Sequence, residues 1–575
     1  VIAVTSHVLL WLVAAPAVSA VAAPLLAELF APKTTARGVS FLLAHLACLG
    51  LVGFAVLRTP GGTTISLGSN VGGASFLLIF DRPAGLELAG AAIFVGLISL
   101  FSQGFIRAAR YVEAFRTLLL VEQAGVSLAI LAGGLASLYV GLLVLSVSLA
   151  LMVGLDFAAA GRSAALRLLA TLEVTSAVAF AAILAFTGGQ SSLAFADLRQ
   201  SPPGGDPASL ILVAPVGIAL LARAGLWPLH RWIVDAGRAA ATPVAAAVTG
   251  VALPLGALVL AHLLSSVLPA DSGWPVLFSV LGTGTALVGG LGMFREKSPL
   301  GWISYAAVSQ IGFAITGFAI GTPKGALAGW LGLTGACLAI LVAALSLGVA
   351  ARVGQQSRLL GLSQVPLGTV GSAVLGIGLL ALAPLPPFPT FSARLALFAS
   401  LIERRAPSDL LLLIGLALAT VLAAASVWRA VFGLEAAPRP AHPPRNAQRL
   451  DWETVVPPTI LSGLLLALGI LPAPWLAKLI GATSASVSAP ADFAAAVLLL
   501  AAILAGLGGA QQAPRLVEQL RPSKRQFRPL AQLSARLRLD CATDPYLILG
   551  GALLLLGRLS ALVLDQTLGR LVRTN

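Results

Sequence analysis

Six residues of this sequence place an ionisable side chain in a strongly apolar setting. They are Arg223 in ALLARAGLWP, Arg394 in PTFSARLALF, Glu122 in LLLVEQAG, Glu173 in LATLEVTS, and His230 and Asp235 just after Pro228. A charge inside an apolar helix is costly, so such residues mark an ion pathway or a buried charge by default. Their types set the chemistry: carboxylates and imidazole can take up and release protons, whereas arginine keeps its proton and supplies fixed positive charge. An unpaired arginine would be expensive, which predicts that Glu122 or Glu173 pairs with Arg223. His230 falls at a helix break, where a ring N–H can satisfy freed backbone carbonyls. Asp235 lies near Arg231 and Arg238 and reads either as a loop ion pair or as a carboxylate at the mouth of a pathway.

The elements that must position these residues are membrane helices. The 575 residues are 58% hydrophobic and only 10% charged, with a mean hydropathy of +0.96. Soluble proteins carry about 25% charged residues, so the composition is that of a polytopic membrane protein. The net charge of +14 sits on arginines in short loops, which is the pattern of topology determinants and headgroup contacts and not of a nucleic-acid surface. Three cysteines without CxxC or CxxH spacing argue against an iron–sulfur cluster, haem or zinc site. With no GxGxxG or P-loop either, no cofactor and no metal is expected in this chain, and any redox chemistry must reside in partner subunits.

Because about 20 apolar residues cross a bilayer, the sequence predicts about sixteen spans, from one near 5–30 to one near 544–567. The first reads as a retained helix. Loops after odd-numbered spans hold most of the arginines and lysines, which places them in the cytoplasm of a bacterial inner membrane and both termini outside. Two stretches lie outside the spans: a Pro/Arg-rich loop at 435–455 and a basic segment at 510–540 that reads as broken amphipathic helices along the interface.

Residues 383–394, APLPPFPTFSAR, repeat the pattern at Leu221–Thr249, with prolines interrupting an apolar helix beside an arginine. Interrupted segments five spans apart point to two repeats of opposite topology. The predicted fold class is therefore an all-α polytopic membrane protein of about 16 transmembrane helices, with two inverted five-helix repeats and broken helices. The expected organisation is N-terminal helices in 1–115, a first repeat in 116–265 and a second in 273–432. A loop and further helices would follow in 433–509, and an interfacial segment with a last helix in 510–575.

Three blocks carry a family resemblance: Trp227-Pro228-Leu229-His230 with Trp232, Asp235 and Thr242-Pro243-Val244; Ile303-Ser304-Tyr305 with Ser309-Gln310-Ile311-Gly312-Phe313; and Pro386-Pro387-Phe388-Pro389 with Phe391 and Arg394. In these blocks the chain resembles the antiporter-like membrane subunits of respiratory complex I, Mrp-type cation/proton antiporters and membrane-bound hydrogenases. The resemblance implies a membrane subunit like subunit L of NADH-quinone oxidoreductase, with lipids and other membrane and peripheral subunits as partners. It also implies a line of buried lysines, histidines and one glutamate that passes protons along the membrane.

The sequence departs from that line. The lysine positions of the seventh and twelfth spans hold Arg223 and Arg394, and the glutamate position of the fifth holds Leu143. The histidine position of the eighth holds Thr249, and the eleventh span, around Thr334 and Cys337, keeps neither of the family's histidines nor its central lysine. Fixed charges carry protons poorly, so proton conduction is expected to be impaired or altered. Two other functions stay open: the membrane subunit of an inorganic-carbon (DabB-type) uptake complex, whose soluble zinc-containing, carbonic-anhydrase-like partner would dock on the 435–455 and 510–540 segments, and a non-conducting structural paralogue that anchors a membrane complex.

Overall fold

The computed structural model describes residues 6–30, 34–59, 64–71, 74–106, 109–155, 159–187, 194–200, 207–266, 273–354, 367–432, 451–471 and 489–519. The chain begins with α1 (Ser6–Phe30) and α2 (Thr34–Arg58), then a hairpin of β1 (Ile65–Val71) and β2 (Ala74–Phe80). There follow α3 (Arg82–Phe105), α4 (Ala109–Ile130), α5 (Leu135–Val153), α6 (Ala159–Thr187), the short α7 (Phe195–Gln200) and α8 (Pro207–Arg223). Past a break come α9 (Arg231–Ala239) and α10 (Thr242–Ala247), which runs through a π-helical turn (Val248–Ala252) into α11 (Leu253–Ser266). Next are α12 (Trp274–Arg295), α13 (Pro299–Ala319), α14 (Pro323–Gly354) and α15 (Gly368–Leu382). Past a second break come α16 (Pro389–Arg404), α17 (Asp409–Phe432), α18 (Trp452–Ile470) and α19 (Ala489–Gln519).

Long helices are what Leu-, Ala- and Val-rich segments must form in lipid, where every backbone polar group has to be satisfied within the segment. Several start on sequence-encoded caps. Asp81 accepts from the Ala84 N–H at 2.9 Å ahead of α3, and Ser298 opens α13 in the same way through Gly301. Lipid gives helices little hydrophobic reason to associate, so close approach through small residues takes over. A Cβ added to Gly125 or Gly141 would strike backbone of the facing helix in the α4–α5 pair; Gly282 and Gly312 play the same part between α12 and α13.

Among the described residues twelve helices are long and apolar enough to cross a bilayer, against the sixteen spans expected. The difference has three sources. The apolar parts of α8 and α15 are shortened by the breaks to Ala214–Arg223 and Thr369–Leu382. α4 fills the fourth expected span but carries Arg116 and Glu122 within it. The span near 544–567 lies outside the described residues, as do 433–450 of the Pro/Arg-rich loop and 520–540 of the basic segment.

The antiparallel hairpin is an addition to the all-helical expectation, with Ile65 opposite Phe80 and Val71 opposite Ala74. Its second strand alternates buried Leu78 and Phe80 with less buried neighbours, the period of a half-covered strand. It clasps the α4–α5 turn: the Ile79 N–H donates to the Leu131 carbonyl at 2.7 Å, and the Gly133 N–H to Leu77 at 2.8 Å. The Phe195 N–H in turn donates to the Gly133 carbonyl at 3.0 Å. The connections after the second, fourth and sixth helices of the sequence-based count thus meet on one face, as alternating topology requires.

Candidate functional site

The site is built on two helix breaks. Pro387 lies 159 positions after Pro228, and the hydrogen bonds repeat at the same offset. Leu226 N–H donates to the Leu221 carbonyl (2.9 Å) and Leu229 N–H to Leu226 (2.7 Å); Leu385 N–H donates to Leu380 (3.3 Å) and Phe388 N–H to Leu385 (3.1 Å). Both prolines follow cis peptide bonds. A side chain from beyond each break reaches back to the matching carbonyl. Trp232 Nε1 donates to Ala222 at 3.0 Å, and Thr390 Oγ1 to Ala381 at 2.6 Å. A buried carbonyl left without its helical donor costs about 1–3 kcal/mol. Thr390→Val keeps the shape and deletes this bond. It is expected to lower stability by about that amount, read as a lower thermal midpoint of the detergent-purified protein beside an unchanged Thr459→Val control on an exposed face of α18.

The two arginines occupy opposite sides of these otherwise matched breaks. Arg223 ends α8, before the break, where the second repeat has Leu382; Arg394 sits on α16, after the break, where the first has Asp235. Arg223 is 4% exposed and every guanidinium nitrogen has a partner. Its Nε donates to Ser176 Oγ (3.1 Å), and Nη1 to the Leu142 carbonyl (3.1 Å) and to Ser146 Oγ. Its Nη2 donates to Glu173 Oε1 (2.7 Å) and Ser176 Oγ (3.0 Å). Glu173 on α6 is therefore the counter-charge, and α5 contributes Ser146 three residues beyond Leu143.

Glu122 is elsewhere. It is fully buried on α4, and neither carboxylate oxygen has a hydrogen-bond partner among the described residues. Arg394 is also buried. Its Nη1 reaches Thr420 Oγ1 at 3.5 Å, its guanidinium carbon lies 4.0 Å over the Phe313 ring, and Nε and Nη2 have no acceptor among the described residues.

His230 does not cap the break. Its Nδ1 is buried without a partner among the described residues, and its ring lies 6.3 Å from that of Tyr305, because the larger Trp232 already reaches the Ala222 carbonyl. Asp235 pairs with Arg167 of α6 (3.4 Å) and Arg231 (3.9 Å) and not with Arg238, which faces away to Glu296 at the end of α12. Burial works against the charge of Arg238, but the Glu296 hydrogen bond and nearby negative groups outweigh it and raise its pKa. Burial likewise opposes the Glu296 carboxylate, but the Arg238 hydrogen bond, backbone N–H groups of Ser298 and Lys297 and the Arg238 charge hold it below the usual carboxylate range.

Sequence reasoning missed three features. Thr249 falls within the π-helical turn, its hydroxyl donating to the Ala245 carbonyl at 2.7 Å; π turns inside α-helices cluster at functional positions. His262 of α11 lies 3.4 Å from Glu87 of α3, a pair readable only as two isolated polar residues in apolar runs. His45 Nδ1 meets Gln123 Oε1 at 3.0 Å between α2 and α4, while Arg116 Nε donates to Ser102 Oγ at 3.3 Å. No group of three or more metal-ligating side chains forms among the described residues.

Comparison with known proteins gives matches of the same kind throughout. Residues 132–422, just over half of the chain, match the model of the NADH:quinone oxidoreductase/Mrp antiporter transmembrane family. NADH-quinone oxidoreductase subunit N of Laribacter hongkongensis is 27% identical over 321 residues, 53% of this chain and 63% of that protein. NAD(P)H-quinone oxidoreductase subunit 2 of Thermosynechococcus vestitus is 27% identical over 369 residues, 59% of this chain and 69% of that protein. The matches thus span about two thirds or less of these relatives. Among solved structures, a chain of the Mrp complex from Dietzia sp. superposes with a TM-score of 0.69 at 20% identity, over 88% of this chain and 100% of that one. A chain of the membrane-bound sulfane sulfur reductase, an archaeal respiratory membrane complex, gives 0.71 at 19% identity, over 87% and 100%. At these identities the structures speak for the fold.

Proposed function

The chain belongs to the NADH:quinone oxidoreductase/Mrp antiporter transmembrane family, and from that premise we propose that it is the antiporter-like membrane subunit of a multi-subunit ion-translocating complex in which the charge at the first helix break is structural. The observation that carries this is the saturation of Arg223. A proton carrier must give up its proton and exchange partners, whereas this guanidinium keeps its proton and donates to Glu173, Ser146, Ser176 and a backbone carbonyl at once. Any ions that this subunit moves therefore bypass Arg223.

The named relatives are subunits N and 2, so the proposal is of a family role and not of subunit L in particular. The arginine-rich loops support a bacterial inner membrane with both termini outside. Docking of a carbonic-anhydrase-like partner rests on segments that lie mostly outside the described residues and is not adopted.

The test has two parts. Affinity purification of the intact complex is expected to bring down other membrane subunits; recovery with a soluble zinc protein alone would replace the reading by inorganic-carbon uptake. Proton and sodium flux is then measured in liposomes holding the complex, with and without the paired change Arg223→Met and Glu173→Leu. Flux is expected to survive the pair. Flux abolished in a normally assembled double variant would put Arg223 back in the pathway, and no flux in the wild type would leave an anchoring scaffold.

A further inference from the structure

We propose that the cavity beside Arg394 is a binding site for a small monovalent anion of the halide class. Arg394 is a second buried arginine beside a helix break, without the protection that Arg223 has. It is 2% exposed, and among the described residues it has no ion-pair partner and its Nε and Nη2 donate to nothing. The aromatic face of Phe313 offsets part of the charge from one side. It does nothing for the N–H groups at the edge of the guanidinium plane, which need acceptors in that plane.

Arg394 itself lines a cavity with Gln310, Phe313, Gly332, Thr390 and Leu397, all of them buried, where α13, α14 and α16 meet. About 10 Å³ is open to the centre of a water-sized sphere, room for one such particle. That space takes a single-atom anion. A water molecule would fit and accept the hydrogen bonds, but it would leave the charge uncompensated in a low-dielectric interior, where buried charges require a partner. Thr390 gives its hydroxyl proton to the Ala381 carbonyl and so has none to offer an anion. The matching position of the first repeat needs no ion, because Asp235 occupies it.

The site stands apart from the ion-translocation reading, since it needs only the purified chain. Thermal midpoints are measured in sodium chloride and sodium gluconate at equal ionic strength, and the same protein is crystallised in sodium bromide for anomalous scattering. The expected results are a saturable rise of the midpoint with chloride and one bromide peak in this cavity, against the Arg394 side chain. Arg394→Met should lose the chloride response. Gly332→Val, which retains the arginine and fills the cavity from the α14 side, should lose it too, and it decides the matter if Arg394→Met fails to fold. A midpoint indifferent to chloride, a response unchanged in Gly332→Val, or density for water or a side-chain carboxylate in place of the ion would each overturn the assignment.

Discussion

Glu173→Leu is expected to lower the stability of the purified protein by about 3–5 kcal/mol, the cost of stranding a buried charge whose partner has been removed. The reason is geometric. Arg223 is held by α5, α6 and α8 together, and without Glu173 it keeps its charge and loses the anion that made burial tolerable. Adding Arg223→Met to Glu173→Leu should restore most of the loss, to within about 1–2 kcal/mol of the wild type, because apolar pairs of similar volume replace buried ion pairs with little net penalty. Thermal unfolding of the two variants reads both numbers. A silent single variant would mean that the pair is not buried in solution. A double variant as unstable as the single one would mean that the serine contacts, and not the charge pair, hold the break.

Gly256→Ala should be nearly as damaging, although it adds one methyl group. α11 passes so close to the first break that a Cβ at Gly256 would overlap the carbonyl of Arg223 and crowd the Ala224 nitrogen. The obstacle is backbone and cannot rotate away, so the expected cost lies at the upper end of the range for overpacking, about 3 kcal/mol. Gly284→Ala on α12 supplies the control: nothing lies within 4 Å of its added Cβ, and removing a helical glycine there should be neutral or slightly stabilising. Equal midpoints for the two variants would show that α11 can withdraw from the break, and would remove the close approach from any account of how Arg223 is held.

The sequence was most legible where a physical rule has one solution. Apolar runs of bilayer length became helices; prolines beside an arginine in an apolar run marked both breaks; and the requirement that a buried arginine find an anion narrowed the partner of Arg223 to two carboxylates, one of which, Glu173, meets it. Side-chain reach was less legible. Nothing in the spacing says that Trp232 and not His230 turns back to the Ala222 carbonyl, or that Asp235 finds Arg167 on a helix some seventy residues away. Contacts between distant helices, such as Glu87 with His262, leave no local periodicity to read. The hairpin escaped because residues 64–80 are short, rich in serine and glycine, and gain their pairing partner only through the α4–α5 turn.

The two breaks share three backbone hydrogen bonds at one offset, yet they differ electrically. In the first repeat the arginine and its glutamate cancel, and a mobile cation nearby meets a dipole. In the second the guanidinium of Arg394 stands uncancelled among the described side chains. At an effective dielectric constant of 20, one elementary charge repels a cation 10 Å away by about 1.7 kcal/mol, more than a tenfold change in its local population. An anion in the cavity beside Arg394 would remove that repulsion without moving an atom of the backbone. Two halves of one architecture thus carry unequal potentials, and an anion bound beside Arg394 would even them out.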